Sequence, residues 1–262
     1  MCAPSSMCPP LAICLKAGTK EAHVLAEQTA FMKCAMKGIV TTATLRQLLA
    51  NLYFVYDALE HEIRNHAKHP VVSVIHFPRL ERSQPLEKDL AFYYGDDWRN
   101  QIVPSRKTIR YVMRIHAIAN ISPALLAAHA YVRYMGDLSG GQRLKTIIRS
   151  VLVLPEPALS DGGGTAFYDF KGLPTAEARQ TFKARYRDAL NMLPVDAELA
   201  VELIKEANIA FKLNRDVLKE LDPPLKATVG EARWQSITEA RVDAPKRQHS
   251  ERPHSAELVG TR

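Results

Sequence analysis

An all-α fold is what this 262-residue sequence predicts, on three observations. Apolar residues recur at three- and four-residue spacing over several long segments. Capping residues, glycines and prolines bound those segments where helices should start and stop. The one short aromatic stretch outside the pattern, Thr165–Phe170, has no partner strand and is expected to pack over the core. An apolar fraction of 47% is ample for a single core. The helical pattern runs from Leu11 to Leu221. This predicts one domain over 11–221, a flexible N-terminus over 1–10 and a disordered tail over 222–262, where apolar residues thin out after Asp222-Pro223-Pro224.

The first helix is expected over Leu11–Phe31, with Leu15, Ala22, Leu25 and Ala26 as an imperfect apolar stripe. His23 sits at the edge of that stripe, with Glu27 one turn later on the same face. Read alone, this is a half-buried histidine paired with a glutamate; it is also how an iron-ligating histidine is held by an acceptor. Lys16 and Lys20 lie on the preceding turns, near enough for an acidic ligand edge. Thr41 or Thr42 caps a second helix, whose stripe runs Leu45, Leu48, Leu49, Leu52, Val55, Tyr56, Leu59 and Ile63. Tyr56 puts a hydroxyl into that stripe, which needs a partner if buried and otherwise reaches solvent. Gln84–Tyr94 reads as a short helix closed by Gly95. Pro104-Ser105 opens another, with Ile109, Val112, Met113 and His116 on its apolar side and Tyr111 as a polar handle.

The stretch Ser122–Ser150 is the most unusual. It starts with Ser122-Pro123 and an alanine-rich run and ends with apolar spacing at Leu144, Ile147, Ile148 and Val151. Between them stand Gly136, Gly140 and Gly141, each costing about 0.8–1 kcal/mol relative to alanine in a helix interior. Gly136 and Gly140 share a face, and Arg133 is placed to pair with Asp137 four residues on. One reading is a helix kink or break at a crossing; the other is bare backbone for a flat ligand with a carboxylate beside it. Further helices are expected at Thr175–Leu193 and, capped by Asp196, at Pro194–Leu221. The former presents Lys183 and Arg187 on one face, either a solvated basic face or a clamp for two carboxylates. On the latter, Asn214 lies three residues past Phe211 and is placed to turn inward.

The string Tyr134-Met135-Gly136-Asp137-Leu138-Ser139-Gly140-Gly141-Gln142 closely resembles the signature of the haem oxygenases. The segments Leu15–His23, Leu90–Gly95 and Phe182–Arg187 resemble that family as well, in family order. The resemblance covers about Leu11–Leu221. It implies a single-domain haem oxygenase-like multi-helix bundle, with haem b between a proximal and a glycine-kinked distal helix. It further implies oxidative cleavage of haem to biliverdin, carbon monoxide and ferrous iron, with haem as both substrate and cofactor. By resemblance His23 is the axial iron ligand, and Asp137 organises distal waters with Arg133, Tyr56, Tyr111 and Asn214 above Gly136 and Gly140. Glu27, Tyr131, Lys16, Lys183 and Arg187 then hold the haem, the last two at its propionates. Met135 and Arg143 are less usual at their positions. Among the other histidines His129 is the serious rival, two turns before Gly136; by resemblance it is on the distal helix and is not the ligand.

Composition narrows the partners. Net charge is +7, with 35 basic and 28 acidic residues. No basic run interleaved with aromatics is present, so nucleic acid is the weakest partner class. No run of 18 apolar residues spans a membrane, and Val259–Arg262 is no apolar anchor. Cys2, Cys8, Cys14 and Cys34 lack paired spacing, so reduced thiols in a cytoplasm are expected. There is no flavin or nicotinamide motif, so electrons are expected from an external, acidic donor such as a ferredoxin or flavin reductase, with a biliverdin reductase as a downstream partner. Two other functions fit less well: a haem carrier or sensor, which needs no proton relay, and a thiaminase-like hydrolase, which needs a pocket cysteine.

Overall fold

The computed structural model describes residues 9–155 and 162–239. Its elements are helices; no strand occurs among the described residues. The expected first helix is three: α1 (Leu11–Gly18), α2 (Lys20–Glu27) and α3 (Ala30–Met36). The first break has a packing cause. A Cβ on Gly18 would stand 2.5 Å from Ile204 Cγ2, so only glycine allows this approach. Asn208 Nδ2 donates to the freed Gly18 carbonyl at 3.0 Å, and the Thr19 hydroxyl donates to Leu15 O at 2.7 Å. The second break is capped, with Thr29 Oγ1 accepting from Met32 N.

Helix α4 (Thr42–Asn65) begins with a reciprocal cap between Thr41 and Thr44 and buries the predicted leucine stripe together with Tyr56 and Glu60. The single turn α5 (Val72–Ile75) leads through a 3₁₀ turn to α6 (Ser83–Tyr94), which Gly95 ends at φ +83°. After the turn α7 (Trp98–Gln101), α8 (Arg106–Ile121) is capped by Ser105 Oγ, which accepts from Thr108 N at 3.1 Å. Its facing differs from expectation. Thr108, Tyr111, Ile115, Ile118 and Ala119 are buried, whereas Ile109 and Met113 are 44% and 64% exposed. The polar Thr108 and Tyr111 lie on the core side, which apolar counting cannot foresee.

Helix α9 (Leu126–Val151) follows a 3₁₀ turn at Pro123–Leu125 and runs unbroken through all three glycines. The Ser122 side chain makes no cap bond. Thr165–Phe170 packs over the core as expected: Phe167, Tyr168 and Phe170 are buried, and the Asp89 carboxylate of α6 accepts from Ala166 N and Phe167 N at 2.7 and 2.8 Å. Helix α10 (Ala176–Asn191) is capped by Thr175, and α11 (Ala197–Lys219) by Asp196, whose Oδ1 accepts from Leu199 N at 2.8 Å.

The predicted disorder from residue 222 needs correction. Two further helices, α12 (Asp222–Val229) and α13 (Glu231–Glu239), fold back on α3. Few apolar residues suffice because they are placed well: Leu225 and Ile237 are buried, Trp234 packs against the core, and Lys33 Nζ donates to the Thr238 carbonyl. The expectations for residues 1–8 and 240–262 lie outside the described residues. Helix α4 packs on α6, α8 and α9, while α11 packs on α9, α8, α1 and α2. Among the described residues no helix is long and apolar enough to cross a membrane.

Candidate active site

Helix α11 joins the two halves of the site. Phe211 meets the His23 ring edge-on, with centroids 5.8 Å apart, and Asn214, one turn further, accepts from Arg133 Nη1 of α9. The predicted proximal and distal residues are thus brought to neighbouring turns of one helix.

On the proximal side α2 buries none of its residues. Val24 and Leu25 are 46% and 45% exposed, an apolar flank that a large flat ligand would cover. His23 is half exposed. Its Nδ1 lies 3.6 Å from Glu27 Oε2, so a small rotation or one water completes the contact. Nε2 makes no hydrogen bond to a described residue. No cluster of three His, Cys, Asp or Glu able to hold a bare metal ion occurs among the described residues. A single half-exposed histidine beside exposed Val24 and Leu25 instead suits a metal that arrives within its own organic ring, as in haem.

On the distal side Asp137 lies between α9 and α4, half-buried, with its side chain 13% exposed. Tyr56 of α4 donates its hydroxyl to Asp137 Oδ2, and Arg133 Nη2 lies 3.4 Å from Asp137 Oδ1. Arg133 Nε also donates to the Tyr56 hydroxyl at 3.1 Å. Burial pushes the Asp137 carboxyl upward, while Arg133, the Tyr56 hydroxyl and Arg82 pull it down. Burial works against the charge of Arg133, but Tyr56 and Asp137 more than offset it, so the guanidinium stays charged. The Tyr111 hydroxyl is buried and has no hydrogen-bond partner among the described residues. It therefore fits the predicted network as a group awaiting water rather than as a direct contact of Asp137.

The glycines divide by facing. A Cβ on Gly136 or Gly140 meets nothing within 4 Å, and both residues are exposed. A Cβ on Gly141 would stand 3.1 Å from Tyr168 Cδ1. Two glycines therefore keep a surface of backbone open beside Asp137, and the third admits a buried aromatic ring behind it.

The predicted basic residues lie on α10 and α1, which pack against each other, and α10 also packs on α9. Lys183 and Arg187 share a face of α10 and make no ion pair with a described residue. Burial, then Arg187 and Arg179, push the Lys183 amine down, as expected for a cation among cations. Burial raises the Tyr131 hydroxyl, whereas Thr19 and the nearby Arg187 lower it. Lys16 is exposed on α1, which is held to α10 by the Ala12 amide donating to Asn191 Oδ1 at 2.9 Å. Arg143 is exposed, away from the buried network.

His129 does not face the opening. It is fully buried, and its Nε2 lies 2.8 Å from Glu206 Oε1. Glu206 was not foreseen, although a glutamate among Leu203, Ala207 and Ala210 on the inward face of α11 was a readable signal. Cys34 is buried beneath the C-terminal helices, which removes the pocket-cysteine alternative. His61, His66, His69, His76 and His116 are at least partly exposed, and His66 and His116 both pair with Glu62.

Comparison with known proteins shows the family. The heme oxygenase family model matches residues 9–220. Heme oxygenase 2 of Synechocystis sp. is 49% identical over 231 residues, covering 88% of this chain and 90% of that protein. Heme oxygenase 1 of Gallus gallus is 43% identical, covering 82% and 71%. The crystal structure of Synechocystis heme oxygenase-2 in complex with heme and NO superposes with a TM-score of 0.87 at 47% identity, covering 90% of this chain and 95% of that one. The chain belongs to the haem oxygenase family.

Proposed function

We propose that this haem oxygenase holds haem b between α2 and α9, with His23 as axial ligand of the iron and Asp137 as the centre of proton delivery. The enzyme cleaves haem oxidatively to biliverdin, carbon monoxide and ferrous iron. The observation that carries the reading is the open backbone of Gly136 and Gly140 beside the hydrogen-bonded Asp137–Tyr56–Arg133 cluster, with His23 reached through the same helix, α11.

Bound haem supplies the iron that activates oxygen and the ring carbon that is oxidised. Each residue then has a definite task. Glu27 accepts from His23 Nδ1, which leaves Nε2 as the bare donor for the iron. The open backbone of Gly136 and Gly140 would let the flat ring lie against α9 and so favour oxidation at one ring edge. Asp137 holds waters at its carboxylate, and Arg133 and Tyr56 fix its orientation. Tyr111 and Asn214 complete the water shell. Lys16, Lys183 and Arg187 bind the propionates and set the rotation of the ring.

Electrons come from a separate acidic protein, a ferredoxin or a flavin reductase, and a biliverdin reductase consumes the product. The surplus of 35 basic over 28 acidic residues supports an acidic donor. We place the enzyme in the cytoplasm. Two measurements test this. His23→Ala should abolish the histidine-ligated spectrum of the ferric complex, and added imidazole should restore it; an unchanged spectrum contradicts the ligand assignment. Turnover with a protein donor should slow as ionic strength rises; salt independence contradicts the electrostatic docking.

A further inference from the structure

A second polar cluster lies behind the distal residues. Glu206 of α11 accepts from His129 Nε2 of α9 at 2.8 Å and from Arg114 Nε of α8 at 3.0 Å, and its other oxygen accepts from Arg114 Nη2. An ionised carboxylate only accepts, so the His129 nitrogen facing it carries the hydrogen. A neutral imidazole then has a bare acceptor at Nδ1, and that atom is buried with no partner among the described residues. The Tyr111 hydroxyl is buried with no partner among them as well. The two rings are neighbours, with centroids 5.5 Å apart and planes at 48°. The ring that carries a buried donor without an acceptor among the described residues thus neighbours the ring that carries a buried acceptor without a donor. Either alone costs about 1–3 kcal/mol, and one link satisfies both. No direct hydrogen bond joins them, and a polar site of this kind takes a bridging water.

We propose that His129 is a positioning residue: one buried water joins Tyr111 Oη to His129 Nδ1, so that Tyr111 donates away from the haem opening and offers its lone pairs to the Asp137 waters. The effect on Tyr111 rests on the reading of Asp137 as the centre of proton delivery; the tautomer of His129 does not. Arg114 and Glu206 act one step further out by fixing that tautomer. The same carboxylate therefore sets, through a ring and a water, the hydrogen-bond direction of a hydroxyl in the distal network.

The first test uses the haem-free protein and nitrogen-15 NMR of the histidine rings. The expected result is an Nε2–H tautomer for His129, with an Nδ1 resonance that moves when Tyr111 is replaced in Tyr111→Phe. An Nδ1–H tautomer, or an Nδ1 resonance indifferent to Tyr111→Phe, overturns the proposal. The second test uses the haem-loaded enzyme and the share of consumed oxygen that ends in biliverdin. His129→Phe should lower that share roughly three- to tenfold, the size of one net hydrogen bond, and should add nothing in a Tyr111→Phe background. Equal losses in both backgrounds make His129 merely structural and overturn the proposal. Should His129→Phe fail to fold, the NMR test on the native chain and on Tyr111→Phe decides alone. It also separates failure of this proposal from failure of the haem reading.

Discussion

The Tyr56 hydroxyl donates to the Asp137 carboxylate across 81 positions of sequence, tying α4 to the glycine-bearing part of α9. Arg133 contacts both groups, so the three form one unit whose parts are not independent. Asp137→Ala should keep haem affinity, because the carboxylate lies beside the opening and not at the basic or proximal ends. Ring opening should fall by about 10²–10⁴, the usual worth of a positioned proton-transfer group. Tyr56→Phe should cost less, and the double variant little more than Asp137→Ala alone. Haemin titration paired with single-turnover kinetics checks this; retained ring opening in Asp137→Ala would remove Asp137 from the chemistry.

The glycines allow a test that separates ligand from scaffold. Gly140→Ala adds a Cβ into open space, so the haem-free protein should gain about 0.8–1 kcal/mol while haem binding weakens. Gly141→Ala drives a Cβ towards Tyr168 and should forfeit that gain or lose about 1–3 kcal/mol to overpacking. Chemical denaturation with and without haemin measures both. A Gly140→Ala protein of unchanged haem affinity contradicts the backbone bed.

Glu206 predicts a pH dependence. Burial alone would raise its carboxyl, but His129 and Arg114 hold it down at about 2, below its ordinary 4.5. The folded state therefore favours the ionised form. The stabilisation is fully present above pH 4.5 and is lost as pH falls towards 2, amounting to about 3 kcal/mol. Urea denaturation between pH 7 and 3 should show this fall in the native chain. Glu206→Gln should be less stable at pH 7 and flatter across the acid window; parallel curves would refute the assignment.

The C-terminal helices predict a structural effect. Cys34 is fully buried near α12, and burial followed by Asp222 pushes its thiol up, so it should resist thiol reagents. A chain ended after Leu221 uncovers the surface on α3 that α12 and α13 occupy. It should react at Cys34 faster and melt lower. Ile237→Ala, which deletes a buried side chain of α13, should cost about 2–5 kcal/mol. Equal thiol reactivity in the full and shortened chains would contradict a packed C-terminal pair.

Much of this was legible locally. Thr41 before the leucine stripe marked α4, Asp196 marked α11, and four-residue spacing foretold that Arg133 and Asp137, His23 and Glu27, and Gly136 and Gly140 share faces. What was not legible depends on distant partners. Gly18 breaks the first helix because Ile204 approaches it, 186 positions away by subtraction of their numbers. His129 could not be separated from a ligand until Glu206 was found beside it. The facing of α8 misled because its core side carries Thr108 and Tyr111. The tail misled because composition averages over residues, whereas Leu225, Trp234 and Ile237 each fill a specific place.

The central claim is that the His23 and Asp137 sides together bind haem and open its ring. Absorption titration with haemin, followed by ascorbate in the presence of catalase, tests it most directly. The predicted result is a saturable Soret band that decays on reduction into the spectrum of biliverdin or its ferric complex. A Soret band that persists under both ascorbate and a protein donor contradicts turnover and leaves a haem carrier, and the absence of a Soret band contradicts the haem site itself.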